Sequence, residues 1–121
     1  MEIYSNPDSI VFTTPIPEID KYVNDKNATI LDLGCGYGRV LKELSLKGYH
    51  NLTGIELSEA LICRGKEYCP MIVFKQGNIV DSDIDGKFDV ILICGVIEYI
   101  VKNEERKKLF DRIYTLLTDN G

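Results

Sequence analysis

A single histidine, His50, and the lack of any CxxC spacing among four cysteines leave this 121-residue chain without the ordinary means of building a zinc site. Cys35, Cys63, Cys69 and Cys94 stand 28, 6 and 25 positions apart, which is not a disulfide framework either, so reduced thiols packing as small apolar side chains are expected. Long hydrophobic runs are also missing. VILIC, residues 90–94, is far short of the roughly 20 apolar residues that a membrane-spanning helix needs. The opening MEIYSNP has neither the basic start nor the apolar stretch of a signal peptide, so a cytoplasmic protein is expected. Basic residues are outnumbered, 14 against 19 acidic, and a net charge of −5 repels phosphate at long range, which disfavours non-specific nucleic-acid binding.

What remains is an ordinary globular composition, 45% apolar and 27% charged, without repeats or low-complexity segments, and of a length for one domain over residues 1–121. Residues 1–16 read as an irregular arm, after which Pro17 opens a short helix, PEIDKYVNDK. From residue 28 strand and helix signals alternate. ATILDL is a short β-branched apolar run suited to a buried strand, and GRVLKELSLK puts Val40, Leu41 and Leu44 on one helical face, with Gly48 as its stop. NLTGIEL is a second strand; Ser58 then caps a helix through EALICRGKEY, which Pro70 ends. MIVFKQ is a third strand. DSDIDG is a turn cluster, and KFDVILICG is the fourth and most apolar strand. The last helix starts near Asn103 and carries Leu109, Phe110, Ile113, Leu116 and Leu117 as one stripe, with Asn120-Gly121 as its stop. The order implies an α/β fold, a mainly parallel sheet with right-handed crossovers and helices on both faces.

Three glycines, Gly34, Gly36 and Gly38, stand in the turn from the first of these strands into its helix. Without Cβ atoms they permit positive φ and let a ligand lie against bare backbone, at the end of the sheet where such folds bind ligands. A tight turn alone would use the same residues. Glu56 closes the second strand 22 positions after Gly34, near the spacing of about 20 at which an acidic residue takes a ribose in nucleotide-binding sheets. An exposed strand-end carboxylate is the plainer explanation of Glu56 by itself; with the glycines before it, the ribose role is preferred. Position 39 is Arg, so the pattern is GxGxG and not the GxGxxG of dinucleotide folds.

LDLGCGYG, GIELS, QGNIVD and FDVILICGVIEYI, in that order, resemble the successive motifs of the class I, Rossmann-like S-adenosylmethionine-dependent methyltransferases, over residues 28–121. The resemblance implies S-adenosylmethionine as cofactor. It places Asp32 and the loop of Gly34, Cys35, Gly36 and Gly38 along the methionyl part, Glu56 on the ribose, and Leu57, Asn78 and Ile79 around the adenine. Cys94, Gly95 and Val96 would line the floor near the sulfonium. Two positions depart from the family's pattern: Asn78 stands where an acidic residue is common, and Tyr99 where His is common. Plainer roles stay open for several of these. Asp32 also suits tying down loop amides, Cys94 and Val96 suit packing, Gly95 suits an exit from the sheet, and Glu98 and Tyr99 suit the start of the next segment.

The reaction that the resemblance implies is an in-line displacement at a methyl group on a positively charged sulfur. Such a step needs alignment and exclusion of water more than an acid-base apparatus, so a catalytic residue need not exist; Glu98 and Tyr99 are the weak candidates for a base. CGVIEY stands where amino-methylating nucleic-acid enzymes of this fold carry [DNS]PP[YFW]. Together with the acidic balance, that points to a small molecule or a protein as acceptor. His50 falls at the opposite end of the sheet and receives no role.

The family's sheet has seven strands in the order 3-2-1-4-5-7-6, and this sequence supplies strands 1–4 before TDNG, with strands 5–7 missing. Residues 1–27 then form an arm and short helix, and 28–121 an incomplete methyltransferase core. Strand four would then be a bare apolar edge, prone to pairing with another chain. A fragment, a homo-oligomer covering that edge, or a binding module without catalysis would each account for the length, in that order of preference. Beside the methyltransferase stand two alternatives: a non-catalytic S-adenosylmethionine-binding or partner-binding subunit, and an NAD-dependent oxidoreductase, which the GxGxG spacing disfavours.

Overall fold

The computed structural model describes residues 3–6, 9–12, 19, 23–80, 84, 86–93 and 103–118, with side chains for 19, 23–80, 84, 86–93 and 107–118. The elements are β1 (Ile3–Asn6), β2 (Ser9–Phe12), β3 (Thr29–Leu33), α1 (Arg39–Leu46), β4 (Asn51–Glu56), α2 (Glu59–Tyr68), β5 (Val73–Gln76), β6 (Val90–Leu92) and α3 (Asn103–Leu116). They form one six-stranded sheet in the order β5-β4-β3-β6-β2-β1. The four strands read from the sequence are all parallel, β5 on β4, β4 on β3 and β3 on β6, which is the 3-2-1-4 order.

Alternation along the strands divides the core. Ile30, Leu52, Val90 and Leu92 face α1, where Val40, Leu41 and Leu44 meet them. Leu31, Leu33, Ile91 and Ile93 face the other way, against Leu109, Ile113 and Leu116 of α3. Burial on both faces is what a parallel strand flanked by helices requires, and it explains why β6 reads as a continuous apolar run. The stripe expected on the last helix is the one that packs; Leu109, Ile113, Leu116 and Leu117 are all buried.

Helix ends follow local chemistry. Ser58 accepts a hydrogen bond from the amide of Leu61 at 3.3 Å and caps α2, which stops at Tyr68 before Cys69-Pro70. After α1 the chain turns through Gly48, φ +101°, and Tyr49 N donates to Leu44 O. At the other end of the sheet Asp89 ties three elements: Oδ2 accepts from the amide and hydroxyl of Thr29 at 2.9 and 3.1 Å, and Oδ1 accepts from Thr118 Oγ1 at 3.1 Å.

Four expectations are corrected. The segment expected to be an irregular arm holds an antiparallel hairpin, β1 on β2. The strand-four edge expected to be bare is occupied: β2 runs parallel to β6 with Ile10 opposite Val90, Val11 opposite Ile91 and Phe12 opposite Leu92. SIVF is too short to announce a strand by itself, and it becomes one because β6 offers unpaired backbone groups. The edge that a homo-oligomer was one way of covering is thus taken by the chain's own β2. The fourth strand is also shorter than KFDVILICG, covering Val90–Leu92. Of the helix expected from Pro17, Ile19 is described and is helical and fully buried. Residues 23–26, expected as the end of that helix, are described and are not helical, because Asp25 Oδ1 accepts from the amide of Asn27 at 2.8 Å and turns the chain instead; the other residues of that stretch lie outside the described residues, as do Asn120 and Gly121.

Candidate functional site

Between β3 and β6 the winding of the sheet reverses, because the chain leaves β3 toward β4 and returns on the other side of β3 to form β6. The segment 34–38 crosses the carboxyl end of β3 at this point. Gly34, Gly36 and Gly38 have φ of +77°, +60° and +90°, left-handed values that L side chains rarely adopt. The amides of Gly34 and Cys35 both donate to Ile55 O, at 2.8 and 3.0 Å, so the loop is strapped to the neighbouring strand. A Cβ on Gly36 would meet nothing within 4 Å; its bare face is open space.

Glu56 ends β4 beside this loop. Its Oε1 accepts from the amide of Gly36 at 2.9 Å and its Oε2 from the amide of Ser58 at 2.8 Å. The two motifs that the sequence set 20 residues apart are therefore in direct contact. Each carboxylate oxygen has a second acceptor position beyond the one its backbone partner uses.

Asp32, near the end of β3, is 2% exposed, and its Oδ1 has no hydrogen-bond partner. Burial pushes its carboxyl up to about 8, and the charge of Glu56 pushes in the same direction. Together with Gly34, Cys35, Gly36, Tyr37, Arg39 and Val40 it lines a cavity of about 180 Å³. Whole small-molecule sites enclose roughly 300–1,000 Å³, so these residues form one end of a larger site. Cys35 turns its thiol into the core: a Cβ on Gly54 would come within 2.5 Å of its sulfur. Burial, followed by the charges of Asp32 and Glu56, raises this thiol far above its ordinary range, so it stays protonated.

Leu57 follows Glu56 and is 65% exposed. Asn78 is exposed beyond β5, where its Oδ1 accepts from the amide of Val80 at 2.7 Å. Ile79 packs against the cluster under α3. None of these three lines the cavity. Cys94, Gly95, Val96, Glu98 and Tyr99 lie outside the described residues. Among the described residues no group of three or more His, Cys, Asp or Glu is placed to hold a metal ion, and no helix is long and apolar enough to cross a membrane.

Tyr37, Arg39 and Val40 line the cavity and were not anticipated. For Arg39 a signal existed. It occupies the first position of α1, where a positive charge opposes the helix dipole, and α1 has neither an acidic residue in its first turn nor a side-chain cap. Its one described ion pair, with Glu43 at 3.6 Å, is exposed and contributes little. The cavity thus has Arg39 and the buried Asp32, whose Oδ1 has no partner, in one lining. A second cavity, about 260 Å³, lies at the opposite end of the strands with His50, Asn51 and Thr53 in its walls. His50 there pairs with Asn27 Oδ1 at 2.6 Å, away from the glycine loop.

Residues 30–121 match the family described as a methyltransferase domain. The fold is similar to that of a TehB-like SAM-dependent methyltransferase from Corynebacterium glutamicum, with a TM-score of 0.74 and 30% identity over 85% of this chain and 55% of that one. It is similar also to PKMT2 from Rickettsia typhi, solved in complex with AdoHcy, with a TM-score of 0.69 and 31% identity over 79% of this chain and 20% of that one. A curated relative, the ubiquinone biosynthesis O-methyltransferase of Rickettsia conorii, is 33% identical over 88 residues, 69% of this chain and 30% of its own length. Eight curated relatives are all much longer: the chain spans 14% to 49% of their lengths.

Proposed function

The chain belongs to the methyltransferase domain family, and from that premise we propose that it binds S-adenosylmethionine along the glycine loop and serves methyl transfer to a small-molecule or protein acceptor. The observation that carries this is the Asp32 carboxylate, buried, without a partner at Oδ1, and set in the wall of a cavity floored by bare glycine backbone. A buried polar atom without a partner costs about 1–3 kcal/mol, and more when it is charged, so the fold is expected to hold it for a ligand.

The residues fit the group. Asp32 suits the ammonium of the methionyl part, and Arg39 with the uncapped start of α1 suits its carboxylate. Gly36 presents open backbone to the ligand's flat side. Glu56, already fixed by two amides, offers its remaining acceptor positions to the ribose hydroxyls without having to be ordered on binding. Leu57, next to Glu56, and Asn78, beyond β5, are the residues proposed for the adenine, where the side-chain amide of Asn78 keeps its N–H donors and one acceptor position after bonding Val80. When bound, the cofactor supplies an electrophilic methyl group on a cationic sulfur. The described residues would bind and orient it, with the loop held to β4 by the amides of Gly34, Cys35 and Gly36. Cys35, Cys63 and Cys69 are all free thiols, which suits a reducing compartment such as the cytoplasm.

Calorimetry and thermal shift with S-adenosylmethionine, S-adenosylhomocysteine and NAD in parallel test this. Ligand at about 100 times its Kd adds roughly 2.7 kcal/mol of stability. The two sulfur nucleosides are expected to stabilise the protein and NAD to leave it unchanged. Stabilisation by NAD alone, or by none of the three, would exclude the proposal.

A further inference from the structure

The glycine loop is held from its outer side as well as from the sheet. Gly65 sits in the middle of α2, where glycine costs about 1 kcal/mol relative to alanine. A methyl at that position would come within 2.8 Å of the carbonyl oxygen of Tyr37 and 2.5 Å of the Phe74 ring. Gly38 is restricted in the same way, since its Cβ would lie 2.9 Å from Phe74 Cζ. The Phe74 ring is thus lodged between two glycines, one in the loop and one in the helix, and neither tolerates a side chain. The glycine of α2 is explained by this close approach and by nothing in the helix itself.

Above that contact runs a row of four side chains. Arg64 lies over the ring of Tyr37 at 4.1 Å, Tyr37 meets Tyr68 edge-on with centroids 5.3 Å apart, and Lys42 lies over Tyr68 at 3.8 Å. Lys42 belongs to α1, Arg64 and Tyr68 to α2, and Tyr37 to the loop, so the row spans both helices flanking the loop. None of the four belongs to either core cluster. Cation–π contacts at exposed sites contribute about 0.5–1 kcal/mol each, modest for global stability but sufficient to bias one short loop.

We propose that Arg64, Tyr37, Tyr68 and Lys42, together with Gly65 and Phe74, form a brace that fixes the glycine loop in its cofactor-binding geometry, with Tyr37 and Gly65 as positioning residues. This rests on the cofactor assignment above. A loop with three left-handed glycines has many conformations open to it, and each that is removed before the ligand arrives is one the ligand need not suppress.

The test measures two quantities on the same variants, at a temperature where all are fully folded: S-adenosylhomocysteine affinity by calorimetry, and hydrogen exchange at the amides of Gly36 and Gly38 without ligand. Tyr37→Ala and Gly65→Ala are expected to weaken binding about tenfold or more, since small misplacements of positioning groups carry large effects. Both are also expected to speed exchange at those amides while leaving α3 amides unchanged. Tyr37→Phe, which keeps the ring, is expected to bind within about twofold of the parent. Val23→Ala, a core truncation that does not touch the loop, is expected to lower Tm without changing affinity or loop exchange. If Tyr37→Ala and Gly65→Ala bind as tightly as the parent and exchange as slowly, the brace is overturned. If the parent itself does not bind but the variants speed loop exchange, the brace stands as a loop support and the cofactor assignment fails.

Discussion

The amide of Gly36 donates to Glu56 Oε1 at 2.9 Å. The carboxylate assigned to a sugar therefore holds the glycine loop before any ligand is present. One side chain orders the loop and, in the proposed ribose role, offers its next acceptor position to the ligand, so its loss is expected to show in stability as well as in affinity.

Glu56→Ala is expected to lower the Tm of the ligand-free protein. Its second effect is on S-adenosylhomocysteine, whose binding should weaken by about 1.5–3 kcal/mol per charge-assisted hydrogen bond lost. Calorimetry on the variant measures the second effect. An affinity equal to the parent's would contradict the ribose role.

Asp32 sets a pH dependence with a definite sign. Its carboxyl is raised from 3.8 to about 8 by burial and by Glu56, so between those values the unfolded chain has released a proton that the folded chain keeps. Stability is therefore expected to fall as pH rises from about 4 to about 8, by an amount on the order of several kcal/mol. Below that window both states are protonated and the effect is absent; above it the cost of the buried charge is complete. Asp32→Asn should match the parent near pH 4 and exceed it in stability near pH 8.5, with weaker cofactor binding, by denaturation curves and calorimetry at both pH values.

Gly36→Ala and Gly38→Ala separate ligand space from packing. Both force a side chain into left-handed backbone, at about 1–2 kcal/mol. Gly36→Ala adds no collision in the free protein but puts a methyl into the open space proposed for the cofactor, so affinity should fall far more than stability. Gly38→Ala also drives a methyl against Phe74 and should lose substantially more stability than Gly36→Ala. Paired Tm and affinity measurements read the contrast.

Asp89→Ala removes the acceptor shared by Thr29 and Thr118 at the far end of the sheet. About 1–3 kcal/mol of stability should be lost, with cofactor affinity unchanged. Denaturant unfolding checks the first and calorimetry the second; an affinity loss would mean that the two ends of the sheet are coupled.

The glycine turn, its contact with Glu56 and the cap of α2 were legible because their signals are local or fixed by strand length. A strand of five or six residues brings Glu56 level with the glycine turn whatever else the protein does, and Ser58 caps α2 through an amide three residues on. Arg39 was visible only as a helix residue of the wrong sign. Tyr37 gave no signal, since its partners Arg64 and Tyr68 are 27 and 31 residues away on another helix.

The sequence alone determined the alternation of strands and helices, the glycine turn, the cap at Ser58 and the pairing of loop with acidic strand end, because each depends on neighbours within a few residues or one βαβ unit. Only the tertiary structure decided that Ser9–Phe12 becomes a strand, that Asp32 is left without a partner at Oδ1, and that Gly65 is needed for Phe74. Edge pairing, desolvation and close packing are set by which distant groups arrive at one place, and that is a property of the assembled sheet.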